Sequence, residues 1–178
     1  MFRLMQERPE DEAEVEWLLD LAFGPGRTAL SSYQLRQGVA PIAKLCTVAR
    51  DEYDVVAGCI RYWPVRVGEG TAPALLLGPV AVHPTRQGEG LGALLIAETL
   101  QAAADDGWGH VILIGDEPYY SRFGFTRANA AGIDFPPPTN PNRILARPVA
   151  ITPSSLLVGS VLRWTSKSDD VHVTPSTK

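Results

Sequence analysis

The chain has 178 residues, of which 45% are hydrophobic and 20% charged, values that suit one globular domain with a substantial core rather than a disordered segment. A formal net charge of −4 lacks the basic face that a nucleic-acid partner needs, and no apolar run approaches the length of a membrane span. Two cysteines and three scattered histidines offer no zinc spacing, so no metal is expected.

Met1 to Glu10 gives no apolar leader and no small-residue cleavage site, so a cytoplasmic protein is expected, with Cys46 and Cys59 as buried, reduced, apolar side chains. From Pro9 to Ala22 the pattern predicts a helix: proline and acids open it, and Val15, Leu18, Leu19 and Ala22 recur at helical spacing. Gly24-Pro25-Gly26 ends it, and Ser31 to Gln37 reads as a second, short helix stopped by Gly38. Strands are predicted over Ala43 to Arg50 and Val55 to Val65, joined by the polar turn Asp51 to Asp54. After the Gly68-Glu69-Gly70 turn, Ala74 to Val82 is almost continuously apolar, as a strand in the middle of a covered sheet should be. A glycine-rich loop, Gln87 to Gly92, leads into a helix running to about Ala104, and Val111 to Ile114 is the next strand. Beyond Phe125 a rigid loop carries Pro136-Pro137-Pro138, two short strands follow near Arg143 to Ala150 and Leu156 to Arg163, and Thr165 to Lys178 reads as a polar tail. The order of elements predicts one α/β domain over 1–164, a mixed central sheet with helices on both faces, and a tail over 165–178.

The loop Gln87-Gly88-Glu89-Gly90-Leu91-Gly92 carries the chemistry. Alternating glycines strip side chains from the start of a helix, so bare amides and the positive end of the helix dipole face the same point, a natural seat for a phosphate or pyrophosphate. An ATP-type loop needs Lys and then Ser or Thr after the last glycine, where Ala93-Leu94 stand. The dinucleotide fingerprint fits the spacing Gly88-x-Gly90-x-x-Ala93, but His83 to Gln87 separate the strand from the first glycine. The chain after Asp116 also lacks the further strand–helix units of that fold.

Gln87-x-x-Gly90-x-Gly92, after a strand and opening a helix, resembles the acetyl-CoA signature of the GNAT superfamily of N-acetyltransferases. Gly115 to Phe125, with Tyr120 ahead of a closing Gly124-Phe125 pair, resembles a second motif of that superfamily in the expected order. Phe23 to Arg27, Leu77-Gly78-Pro79 and Pro153 to Gly159 are similar to a bacterial branch of predicted acetyltransferases.

The resemblance implies that the strand ending at Val82 splays from the strand beginning near Val111 and that acetyl-CoA, the one cosubstrate expected, lies in the opening. Main-chain groups of the Val80-Ala81-Val82 segment, at Val80 and Val82, would hold the pantetheine arm and the acetyl carbonyl. Amides of Gln87, Gly88, Glu89, Gly90, Leu91 and Gly92 would hold the pyrophosphate. Glu89 departs from the pattern, since a carboxylate beside a pyrophosphate is unfavourable unless it points into solvent, and Arg86 could offset it. Tyr120 occupies the position of the general acid, with Tyr119 expected to point the other way and pack. Asp116, Glu117 and His110 are alternatives for the base, Asp116 being preferred, while His83 reads as an exposed loop residue. The activity implied is acetyl transfer to a primary amine, small molecule or peptide, by direct attack on the thioester. The alternative is a sensor that binds acetyl-CoA without turnover. Acceptor choice is expected to reside in Gly24 to Gly38, the turn at Gly68 and the loop Asn129 to Asn142. The acidic balance suits a cationic acceptor, and a homodimer is compatible with the family.

Overall fold

The computed structural model describes residues 1–69, 72–150 and 157–165. The helix predicted from Pro9 begins as a tight 3-10 turn over Pro9–Asp11 and becomes α1 over Glu12–Phe23, and α2 covers Ser31–Arg36. The strand expected from Ala43 starts later. Ala43–Leu45 is a 3-10 turn, because the Ile42 amide bonds to the Tyr62 carbonyl at 2.8 Å and the Leu45 amide folds back on Ile42, and β2 is only Thr47–Arg50. β3 (Val56–Val67), β4 (Ala72–Val82), α3 (Leu91–Asp105) and β5 (His110–Ile114) follow the expected pattern, each a residue or so longer. Four short elements were not predicted or were misplaced at their edges: β1 (Arg3–Gln6), α4 (Glu117–Tyr120), β6 (Ile133–Asp134) and β7 (Ile144–Pro148). β8 is Gly159–Arg163; Pro153 to Leu156 and the tail beyond Thr165 lie outside the described residues.

The main run of the sheet is β1-β2-β3-β4-β5-β7, and β8 lies against the distal end of β3 and carries β6. Neighbours along that run are antiparallel except β4 and β5, which the α3 crossover makes parallel. One face packs on α3 through Leu91, Leu95, Ile96 and Leu100 against Leu75, Leu77, Val111 and Leu145. The other face packs on α1 through Val15, Leu18 and Leu19 against Val48, Cys59 and Ala81. The mixed sheet with helices on both faces is therefore present. Cys46 and Cys59 are free thiols in the core, and burial pushes them up to about 11 and about 12.

Two irregularities shape β4. Leu77 pairs with Tyr62 and Val80 with Ile60, so Gly78 and Pro79 together face the single residue Arg61, which makes a β-bulge. The extra residue changes the alternation: Leu75 and Leu77 face α3 before it, Val80 and Val82 after it. On its other edge β4 pairs with β5 only at Leu75–Val111 and Leu76–Ile112, after which the two strands part.

Candidate active site

Where β4 and β5 part, the gap runs through the sheet and opens a cavity of about 550 Å³. Leu77 and Leu113 line it from the α3 side of the sheet, and the α1–α2 segment and the Pro138 to Asn140 loop close it on the other. Of the three segments expected to set acceptor choice, the first and third thus border the cavity, whereas Gly68 packs on Val158 and Gly159 at the distal end of the β3–β4 hairpin. The main chain of β4 has a definite polarity here. The His83 amide donates to the Ala57 carbonyl at 2.8 Å, so in the antiparallel alternation the Cys59–Ala81 pair also exchanges bonds while Gly58–Val82 and Ile60–Val80 do not. Amides and carbonyls of Val80 and Val82 consequently point away from β3, into the gap that β5 has left. Ala81 between them pairs with β3 and packs its side chain under α1.

The glycine loop lies just beyond the end of β4. Gly88 (φ +84°) and Gly90 (φ +79°) are left-handed, a conformation that side chains resist, although space around both positions is open. Gly90 caps α3 without any side-chain bond, and the first amide to re-enter the helix ladder is that of Leu94. Among the described residues nothing accepts a hydrogen bond from the amides of Gln87, Gly88, Glu89, Gly90, Leu91, Gly92 or Ala93. The loop therefore gathers unsatisfied donors at the positive end of a helix, which is the arrangement a pyrophosphate fits. Glu89 is half exposed and stands 3.8 Å from Arg86, whose guanidinium is closer to Asp51 (2.9 Å) and Glu52 (3.1 Å) than to Glu89.

Tyr120 closes the α3 side of the cavity, its ring edge-on to Tyr119 and Phe125 at centroid distances of 4.9 and 6.1 Å. Burial, reinforced by the neighbouring Tyr119 and Asp116, pushes its phenol up to about 12. Contrary to the expectation from the sequence, Tyr119 does not turn away. It also borders the cavity, and its hydroxyl reaches the start of α3, 3.3 Å from where a Cβ on Gly92 would stand. The one-turn helix α4 turns both rings toward the gap, because Asp116 accepts the amides of Tyr119 and Tyr120 on its carbonyl.

Asp116 lies on the cavity wall and accepts a hydrogen bond from Arg143 Nε at 3.0 Å. The other carboxylate and the histidines are placed differently. Glu117 accepts the Arg127 amide at 3.0 Å. His110 is buried at the first residue of β5, about 13 Å of strand from Ile114 at the open end. His83 stacks on Trp17 and bonds Thr85. Among the described residues no group of His, Cys, Asp and Glu is placed to hold a metal ion.

Three arginines stand on the α2 side, and the sequence reading did not single them out as a group. Arg61 is bound by Glu7 and Glu16, both at 2.6 Å. Arg27 is bound by Glu16 and by Asp20 at 2.8 Å. Arg36 has no ion pair among the described residues. Its guanidinium lies 4.5 Å from the ring centre of Tyr33 and 5.7 Å from that of Trp63. One terminal nitrogen stands 3.6 Å from the Cβ position of Gly78, at the bulge.

Comparison with known proteins places this geometry. Residues 43–127 match the family model described as the acetyltransferase (GNAT) domain. The chain is 31% identical over 122 residues to the uncharacterized N-acetyltransferase YhbS of Escherichia coli K12, covering 68% of this chain and 72% of that protein. The crystal structure of Escherichia coli YhbS in complex with CoA is similar at a TM-score of 0.76 and 26% identity, over 92% of this chain and 89% of that one. A GNAT family acetyltransferase of Brucella melitensis, in complex with acetyl-CoA, is similar at a TM-score of 0.70 and 27% identity, over 96% and 99%. With its splayed β4 and β5, its open amides at α3 and these relatives, the chain belongs to the GNAT family of N-acetyltransferases.

Proposed function

We propose that the protein transfers an acetyl group from acetyl-CoA to a primary amine by direct attack. One observation carries this reading: β4 leaves β5 after Leu76, and in the gap the main chain of Val80 and Val82 faces outward toward the cavity that Tyr120 borders. Acetyl-CoA supplies a thioester carbonyl that a neutral amine can attack. Val80 and Val82 hold the pantetheine arm by main-chain bonds, as an added strand would, and an amide of this segment steadies the carbonyl oxygen. Gln87, Gly88, Glu89, Gly90, Leu91 and Gly92 bind the pyrophosphate through the free amides of the loop, with the Glu89 carboxylate turned to solvent. Tyr120, protonated throughout the physiological range, donates its proton to the departing sulfur. Asp116 takes the proton that the acceptor ammonium must lose. Asp116 then passes that proton on to solvent, and the second proton, shed by the nitrogen as the amide forms, restores the Tyr120 phenol.

Calorimetric titration with acetyl-CoA, with NADH as control, tests the cosubstrate. Saturable binding that disappears in Gly90→Trp is the expected result. Thiol release across a panel of amines then tests the transfer. NADH binding, or no acetyl-CoA binding by the unaltered protein, overturns the reading. Binding with no turnover on any amine makes the protein a sensor instead.

A further inference from the structure

The acceptor side of the cavity has more charge chemistry than the transfer itself needs. Of the three guanidiniums there, Arg61 and Arg27 are answered by Glu7, Glu16 and Asp20, while among the described residues Arg36 has no carboxylate, only the neutral Tyr33, which also hydrogen-bonds it, and the face of Trp63. Aromatic faces attract a cation, but they do not accept its N–H bonds in the guanidinium plane. Two buried side-chain polar atoms of the described residues have no hydrogen-bond partner, Arg36 Nε and Trp63 Nε1, and both are donors. Buried donors left open in this way call for an acceptor. Burial lowers the Arg36 guanidinium to about 10, with Arg61 and Arg27 adding repulsion, so it stays charged at neutral pH and gains from an anion.

Position gives this donor set its meaning. Arg36 borders both the main cavity and an adjoining one of about 480 Å³, and it lies over Gly78, where the absent side chain leaves room. Tyr120 belongs to the α3 face of the sheet and Arg36 reaches in from α2 on the opposite face. A molecule entering from the α2 side therefore meets Arg36 before it reaches the segment at Val80.

We propose that the acceptor is a small amine carrying a carboxylate, and that Arg36 binds that carboxylate while the amine faces the gap between β4 and β5. A planar guanidinium matches a carboxylate with paired bonds, and it has open N–H groups to give. The charge serves the reaction as well: a cation near the amine disfavours its protonated form and so eases the proton loss that attack requires. This reverses the cationic acceptor suggested by overall charge, because the local field at the site differs from the sum over the chain. The inference rests on the acetyl-transfer reading above and names the substrate class of the same site.

The test compares matched acceptors, free amino acids against their α-amides and their decarboxylated amines, in the unaltered protein and in Arg36→Met and Arg36→Lys. The acids are expected to be acetylated with kcat/KM about a hundredfold above their amides. Arg36→Met should erase that preference through KM, keep the affinity for acetyl-CoA and leave thermal stability unchanged. Arg36→Lys should recover part of the preference, which a packing role would not do. N-acetyl amino acids, titrated by calorimetry, should bind the unaltered protein and not Arg36→Met. Amides or plain amines turned over as well as the acids, or an unchanged preference in Arg36→Met, would overturn the proposal and leave the transferase reading intact. So would failure of every carboxylate ligand to bind a protein that binds acetyl-CoA. Loss of acetyl-CoA binding in the unaltered protein would remove both.

Discussion

The Cδ2 atom of Tyr120 lies 2.8 Å from where a Cβ on Gly115 would stand, and Leu113 Cδ1 lies 3.0 Å from it on another side. The phenol ring thus rests directly on bare main chain at the end of β5. Gly115→Ala should push the ring out of the gap and lower kcat about a hundredfold, the range expected for losing a positioned acid. Acetyl-CoA affinity should change little, so kinetics read beside calorimetry will separate the two effects. Equal activity in the alanine variant would show that the ring position does not matter.

Tyr120→Phe should lower kcat by about 10²- to 10³-fold without disturbing the fold. Because burial raises the phenol to about 12, its protonated form persists as pH rises. The kcat profile of the unaltered protein should therefore show no falling limb up to about pH 10, the ordinary value for a tyrosine. A falling limb near pH 9 that Tyr120→Phe abolishes would contradict the raised phenol, and an unchanged kcat in Tyr120→Phe would contradict the assigned role.

Glu89 puts a carboxylate beside amides of which seven are unsatisfied among the described residues, where only a 3.8 Å contact with Arg86 opposes it. Glu89→Lys should tighten acetyl-CoA binding several-fold at low ionic strength. At about 1 M salt the Debye length falls to about 3 Å and the gain should vanish. Titrations at the two ionic strengths decide this, and a salt-independent gain would point to a change in loop shape.

Stability has a separate test at the base of α1. Asp11 and Arg50 form a buried pair at 2.6 Å, and Arg50 also bonds the Asp54 carbonyl. Asp11→Asn leaves Arg50 with the half-exposed Glu14, at 3.3 Å, as its remaining carboxylate partner and should cost about 1.5–3 kcal/mol in urea unfolding, the range for a hydrogen bond to a charged group. Burial pulls the Asp11 carboxyl upward, but bonds from the Arg8 amide and from Arg50 outweigh it and hold the group below 3.8. A lowered folded value means that this stabilisation is complete above the ordinary carboxylate range and fades as pH drops through the folded value. Unfolding curves between about pH 5 and pH 2 should show a loss in the unaltered protein that is smaller in Asp11→Asn.

The parts of the site that depend on local backbone chemistry were legible in the sequence. Gly88 and Gly90 sit in the loop that opens α3, where bare amides were inferred, and Tyr120 follows β5 at the expected interval. What the sequence concealed depends on tertiary register. Arg36 ends a helix of six residues and reads as a solvated charge; only its place over Gly78 makes it part of a site. His110 stood beside the apolar run of β5 and so drew attention as a base, yet its end of the strand is the closed one. Arg3–Gln6 was invisible because an edge strand of four residues, three of them exposed, has no apolar alternation to announce it. The turn of helix over Glu117–Tyr120 is too short for any helical period to emerge.

The bulge at Gly78-Pro79 decides which residues can serve a guest in the gap. Had β4 continued opposite β3 in the register of Leu77 and Tyr62, Val80 would have faced Cys59 and taken the bonded place that Ala81 holds. The outward places would then have fallen to Pro79 and Ala81. Proline carries no amide hydrogen, so the strand would have offered one donor where it now offers two. A single surplus residue upstream thus converts a sheet edge with half its donors missing into one able to receive an extended chain, while the pairing that keeps the sheet intact resumes within one residue.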